Sequence, residues 1–148
     1  MTWVTGTVVA GHGVASGREK ADRFPGGAIA LQRPHFAARG LDLSEFWDGT
    51  INVDVSPRRA VLVCPEWTFP MVEWLPGYPA ETFSFARMRI RAGGAEYPAM
   101  LFLPHPETKP EHHQAPGVLE VMAPWIDGMS TAHAVEVWLD PERFAVTG

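Results

Sequence analysis

Thr50-Ile51-Asn52-Val53-Asp54-Val55 alternates polar and apolar residues with a period of two, which is the pattern of a strand with one polar and one apolar face. Thr50, Asn52 and Asp54 share the polar face, while Ile51, Val53 and Val55 share the apolar one. Asp48-Gly49 just before it is a turn signal, so the strand is expected to leave a tight bend. Fourteen prolines and fourteen glycines in 148 residues cut the rest of the chain into similarly short pieces. Long helices are therefore not expected, and short strands joined by turns are.

Upstream of this segment, Trp3 to Ala10 is rich in β-branched residues and predicts a first strand. Residues 11 to 27 hold five glycines and scattered charges and predict a long loop. Arg33 to Arg39 predicts a short helix, with Pro34 in its first turn and Gly40 as its stop. Leu43 to Trp47 suggests a further turn. Downstream, Ala60 to Cys64 predicts an apolar strand after the Pro57-Arg58-Arg59 turn, with Cys64 in the core. Pro65, Pro70, Pro76 and Pro79 are interleaved with Trp67, Phe69, Trp74 and Tyr78, which predicts an aromatic-rich loop without regular structure. Thr82 to Arg91 predicts a strand with a bulge, turned back by Gly93-Gly94 into Glu96 to Pro104. Residues 104 to 117 predict another loop, and Val118 to Met122 and Ala134 to Leu139 the last two strands. The sum is one mostly β domain over residues 1–148, with six or seven short strands and one short helix, closed as a barrel or stacked as a sandwich.

Composition narrows the partners. Hydrophobic residues make up 46% and charged residues 20%, so the chain can build a folded core. A net charge of −5 argues against nucleic acid as the main partner, because phosphate binding needs clustered Lys and Arg. Cys64 is the single cysteine, which excludes an internal disulfide and a multi-cysteine zinc site. Met1-Thr2-Trp3-Val4-Thr5-Gly6 has neither a basic nor an apolar leader pattern, and no apolar run approaches membrane-spanning length. We therefore expect a cytoplasmic protein without a membrane partner. The sequence carries no signal for an oligomeric state.

Chemistry concentrates in a few places. Thr50 and Asn52 offer neutral oxygens on one strand face, the donor type that Mg²⁺ shares with water and phosphates. The same spacing also suits a polar face turned to solvent, and spacing leaves both readings open. Gly11-His12-Gly13 with Gly17 follows a strand and would let backbone N–H groups approach a phosphate, with Arg18 and Lys20 supplying positive charge. It matches neither a Walker loop nor a dinucleotide fingerprint, and a surface loop is the other reading. His105, His112 and His113, with Glu107 and Glu111, are candidate zinc ligands by residue type, but their spacing fits no zinc motif. Glu120 lies inside the apolar run Val118-Leu119-Glu120-Val121-Met122 and is either a general base or the outward residue of an alternating strand. No Ser-His-Asp or Cys-His arrangement is legible from the sequence.

Three of these pieces occur in a telling order. The chain resembles the archaeal CTP-dependent riboflavin kinases in G-T-V-V-A-G-H-G (Gly6 to Gly13), D-G-T-I-N-V (Asp48 to Val53) and H-H-Q-A-P-G-V-L-E-V-M-A-P (His112 to Pro124). The resemblance implies a small cradle-loop β-barrel that transfers a phosphoryl group from CTP to riboflavin, giving FMN. It implies Mg²⁺ held by Thr50 and Asn52, and Glu120 as the acceptor of the hydroxyl proton. It implies a nucleotide lined by Gly11, His12, Gly13, Gly17, Arg18, Lys20, Gly49 and His113, and no tightly bound organic cofactor. The chain departs from the family at Val14-Ala15-Ser16, which loosens the glycine loop, and at Trp125-Ile126, where the family carries a Leu-Arg pair. Two further functions remain beside the kinase. One is a flavin- or nucleotide-binding module without chemistry, with Trp67 and Trp74 stacking on a planar ring. The other is an interaction protein using the aromatic stretch 65–79.

Overall fold

A computed structural model describes residues 3–9, 28–107, 117–129 and 133–148. Its elements run β1 (Trp3–Val9), α1 (Ala28–Ala38), β2 (Ile51–Asp54), β3 (Arg59–Leu62), β4 (Trp67–Val72), β5 (Glu81–Ala92), β6 (Ala95–Pro104), β7 (Val118–Met122), β8 (Ala134–Trp138) and β9 (Phe144–Thr147). Seven strands form one antiparallel sheet in the order β4-β5-β6-β7-β2-β1-β8, while β3 and β9 make a separate ribbon. The long strand β5 also pairs with β8, through Arg89↔Trp138 to Arg91↔Glu136, so six strands complete a ring of pairings. The mostly β, single-domain architecture expected from the sequence is what the structure contains.

The ring follows from side-chain alternation. Ile51 and Val53 of β2, Ala86, Met88 and Ile90 of β5, Ala99 and Leu101 of β6, and Leu119 and Val121 of β7 pack in one core cluster. Residues of opposite parity, including Phe83, Phe85, Met100, Phe102 and Met122, belong to a second cluster on the other face. That face is covered by α1, the segment from Leu41 to Phe46, and β4. Phe36 anchors the helix there, edge-on to Phe83 and Phe85 at 5.0 and 4.9 Å between ring centroids. Burying a side chain of that size stabilises the fold by about 1.5–3 kcal/mol.

Local chemistry explains the ends of the elements. Gly40 takes φ +96°, its N–H donates to Ala37 O, and the N–H of Leu41 donates to Phe36 O. This is a Schellman stop, closed by apolar contact between Leu41 and the last turn. Gly93 and Gly94, at φ +58° and +81°, make the two-residue turn between β5 and β6. Gly6 sits on β1 close against its antiparallel neighbour β2: a Cβ there would lie 2.5 Å from Val53 Cγ1.

Several expectations need correction. The helix begins five residues before Arg33, so Pro34 lies inside it and not in its first turn. Burial of Ala28, Ile29, Gln32 and Phe36 against the sheet outweighs the one hydrogen bond that proline removes. The aromatic stretch is not structureless, because β4 runs through Pro70. It is an outer strand, where proline is tolerated, and a register break between Phe69 and Val72 with Met71 at φ +47° accommodates it. The bulge expected in Thr82 to Arg91 is absent toward β6, where the register is unbroken from Phe83↔Pro104 to Ala92↔Ala95. Cys64 is exposed beyond the end of β3, with Arg143 Nη1 3.7 Å from its sulfur. Ala134–Trp138 is not the last strand, since β9 follows it. No helix among the described residues is long and apolar enough to cross a membrane.

Candidate functional site

The site is built where the end of the helical layer meets β2. Arg33 of α1 donates from Nη2 to the carbonyls of Leu43 and Phe46, and its Nη1 pairs with Asp48 Oδ1 at 2.6 Å. One guanidinium thereby holds the chain from 43 to 48 against the helix. The Trp47 N–H donates to Ala123 O at 2.9 Å, tying the same segment to the residue after β7. Gly49 donates its N–H to Trp47 O at 2.8 Å, closing the bend that delivers Thr50 and Asn52.

Antiparallel pairing then sets the polar floor. Asn52 of β2 lies opposite Glu120 of β7. Both project to the face that carries the second core cluster, the same side as Met122. Thr50 Oγ1 donates to Glu120 Oε2 at 3.1 Å. All three are buried: Thr50 is 9%, Asn52 7% and Glu120 8% exposed. The solvent-facing reading of Thr50 and Asn52 is thereby overturned, and so is the outward reading of Glu120. Asp54, further along the same face, is partly exposed and accepts a hydrogen bond from the Ser56 N–H.

Above this floor opens a cleft of about 180 Å³, lined by Val8, Trp47, Thr50, Asn52, Trp125 and Met129 among others. Trp47 and Trp125 meet edge to face with centroids 5.1 Å apart. Trp125 is 64% exposed, and its ring N–H donates to Asp127 Oδ1 at 2.9 Å. A hydroxyl and an amide side chain therefore line a small space beside an aromatic wall, and the Glu120 carboxylate is joined to that lining through its hydrogen bond with Thr50 and its pairing with Asn52. The donor set fits a hard cation: a Thr hydroxyl that donates to a carboxylate still presents lone pairs, and the Asn amide adds a neutral oxygen type. The low-dielectric wall strengthens whatever charge interactions form on the floor.

The other sequence candidates fall in different places. Gly49 is buried and its N–H is committed to Trp47 O, so it serves the bend. Gly11, His12, Gly13, Gly17, Arg18, Lys20 and His113 lie outside the described residues, as do Glu111 and His112. His105 is not among the residues that line the cleft and bonds Ser84 and Glu107. Among the described residues no group of three His, Cys, Asp or Glu side chains is arranged to hold a metal. Trp74 is only 5% exposed, packs near Tyr78 and donates to Glu81 Oε2, so its ring is core and not a stacking platform.

Sequence reasoning missed Arg33 and Trp125. Arg33 gave no local signal, because its partners are carbonyls ten or more residues away. Trp125 stood in view as the residue replacing a family feature, and its meaning depends on Trp47 being folded against it. No family model matches this chain, and no curated protein matches it in sequence.

Proposed function

We propose that this protein is a phosphotransferase of the type its sequence resembles, moving a phosphoryl group from CTP or another nucleoside triphosphate to riboflavin in the cytoplasm. The observation that carries the reading is the buried cluster of Thr50, Asn52 and Glu120, of which Thr50 and Asn52 line a cleft with an aromatic wall. Phosphoryl transfer asks little covalent chemistry of the protein and depends on positioning and charge stabilisation. A few fixed polar groups in a sheltered site meet that need.

In this reading Thr50 and Asn52 hold Mg²⁺, which when bound neutralises phosphate charge. Glu120 accepts the proton of the attacking 5′-hydroxyl, and the Thr50 hydroxyl orients its carboxylate. Trp47 and Trp125 pack against a planar heteroaromatic ring and keep water from the floor. The strand pairing β2–β7 fixes Asn52 and Glu120 relative to each other, so the base and the phosphate site stay in register.

The test is FMN formation by the purified full chain from riboflavin with CTP, ATP, GTP or UTP and Mg²⁺ or Mn²⁺. FMN formed with at least one triphosphate, and lost in Glu120→Gln, supports the reading. No turnover with any triphosphate and either metal overturns it. Binding of riboflavin or nucleotide that persists without turnover would assign the same cleft to a binding module. That alternative is favoured by one observation, the hydrogen bond by which Glu120 is already engaged with Thr50.

A further inference from the structure

On the far side of the sheet from the cleft floor, four side chains form a continuous chain of hydrogen bonds. Thr68 Oγ1 lies 2.9 Å from Ser84 Oγ, Ser84 Oγ lies 2.7 Å from His105 Nε2, and His105 Nδ1 lies 3.1 Å from Glu107 Oε2. The backbone dictates the arrangement. Thr68 of β4 is the cross-strand partner of Ser84 on β5, and the His105 N–H donates to Thr82 O at 2.8 Å just beyond β6.

The direction of the protons follows from the carboxylate. An ionised Glu107 only accepts, so Nδ1 carries the hydrogen and Nε2 becomes the acceptor. The Ser84 hydroxyl then donates to Nε2, and its oxygen accepts from Thr68. Glu107 is held below the usual carboxylate range by its own backbone N–H first and by the His105 hydrogen bond second, in keeping with that polarity. A hydroxyl backed by an imidazole that is oriented by a carboxylate is the geometry of a base-activated nucleophile. Ser84 itself is 1% exposed, whereas Thr68 is exposed at the outer strand. The hydroxyl at which the relay reaches solvent is therefore that of Thr68. A buried serine needs only one partner to be satisfied, and this network goes beyond that need with a second hydroxyl and an oriented histidine.

We propose that Thr68, relayed through Ser84 to His105 and Glu107, is a second reactive site that accepts an acyl group from small activated carboxylic esters. Thr68 Oγ1 forms a bond to the acyl carbon as its proton passes to Ser84 Oγ and the Ser84 proton passes to His105 Nε2. The ester C–O bond breaks, its oxygen leaves with the electron pair as an alkoxide or phenolate, and the imidazolium then releases its proton to solvent. The products are a Thr68 ester and the leaving alcohol.

The experiment uses the full chain carrying Cys64→Ser, to remove the exposed thiol, with p-nitrophenyl acetate as the probe. Phenolate release is followed by absorbance and the acetylated residue is mapped by mass spectrometry. The expected result is acetylation at Thr68, abolished by Thr68→Val and slowed roughly 100-fold by His105→Gln, the lower range for loss of a general base. Glu107 acts through His105, so Glu107→Gln should slow the reaction and Glu107→Asp should restore part of the rate. Glu107 is exposed, and its variants keep the test decisive if His105→Gln fails to fold. Acetylation confined to lysines or the N-terminus overturns the proposal. So does a Thr68 rate unchanged in both the His105 and Glu107 variants, or no release above buffer.

Discussion

Asn52 on β2 and Glu120 on β7 face each other directly across an antiparallel ladder, and Thr50, two residues earlier, donates its hydroxyl to the same carboxylate. A carboxylate in an apolar strand therefore has polar company from the neighbouring strand, and the two residues beside it, Thr50 and Asn52, line the cleft together with Trp47 and Trp125. This relationship separates side chains that act in chemistry from those that hold the floor together, and each can be tested by itself.

Glu120→Gln keeps the size of the side chain and an acceptor for Thr50 but removes the base. FMN formation should fall by about 10²–10⁴ in kcat, the usual contribution of a positioned general base, with little change in the riboflavin KM. Steady-state kinetics with circular dichroism as the folding control measures both. Asn52→Ala should also lose activity while retaining the strand signature. A Glu120→Gln enzyme with wild-type kcat would exclude this carboxylate as the base.

Thr50→Val preserves volume and deletes one donor to a carboxylate that is only 8% exposed. Leaving a buried acceptor short of a partner costs about 1–3 kcal/mol. Urea unfolding should show a lower midpoint with unchanged slope. Thr50→Ser, which keeps the hydroxyl, should recover most of the loss.

Trp125 is 64% exposed, so Trp125→Ala should leave the unfolding free energy within about 0.5 kcal/mol of wild type. If it packs against a planar ligand, affinity should drop by about 0.5–1.5 kcal/mol. Intrinsic fluorescence titration with riboflavin or nucleotide reads this, because Trp47 and Trp125 are in contact. Unchanged affinity would place the ligand elsewhere.

Gly6→Ala puts a methyl group 2.5 Å from Val53 Cγ1, between the paired strands β1 and β2. Overpacking of that kind costs typically about 1–3 kcal/mol. Because the clash has one principal partner, Val53→Ala in the same chain should relieve part of it, giving a non-additive double-mutant cycle. Additive losses would mean that the strands shift and do not merely collide.

Acid should destabilise the fold through identifiable carboxylates. Asp42 and Asp54 are held below the usual range, in each case first by a side-chain hydrogen bond, from Ser44 and from Ser56, and next by the backbone N–H of the same serine. A carboxylate with a depressed folded pKa contributes stability that is present above its unfolded value, about 4, and lost as the pH falls through the folded one. Chemical denaturation should therefore show stability declining below about pH 4, the unfolded carboxylate range, and a shallower decline in Asp42→Asn and Asp54→Asn. Asp42 is exposed and Asp54 partly so, so the change should be modest and salt should leave most of it intact, since hydrogen bonding dominates the shift.

The legibility of this protein depended on how local each cause was. Thr50 to Val55 could be read because alternation is a property of consecutive residues, and Gly93-Gly94 because a two-residue turn needs positive φ at both positions. The strand through Pro70 was hidden, since proline forbids a central strand but not an outer one, and position in the sheet is not local. The full length of α1 was hidden for a similar reason: contacts of Ile29 and Phe36 with the sheet sustain it past Pro34. The Ser84–His105–Glu107 relay gave no motif, because its order in space comes from strand pairing and not from spacing.

By itself, the sequence determined a mostly β domain of short strands, the alternating character of β2, the glycine stop after α1 and the residue types available for chemistry. These follow from backbone sterics and periodicity, which act over a few residues. Only the tertiary structure decided that the polar face of β2 is buried, that Glu120 stands opposite Asn52, and that Arg33 and Trp125 belong to the same site as Thr50. Register and burial are set by how distant segments pack together, and a carboxylate becomes a candidate base only when that packing takes it out of water beside a partner.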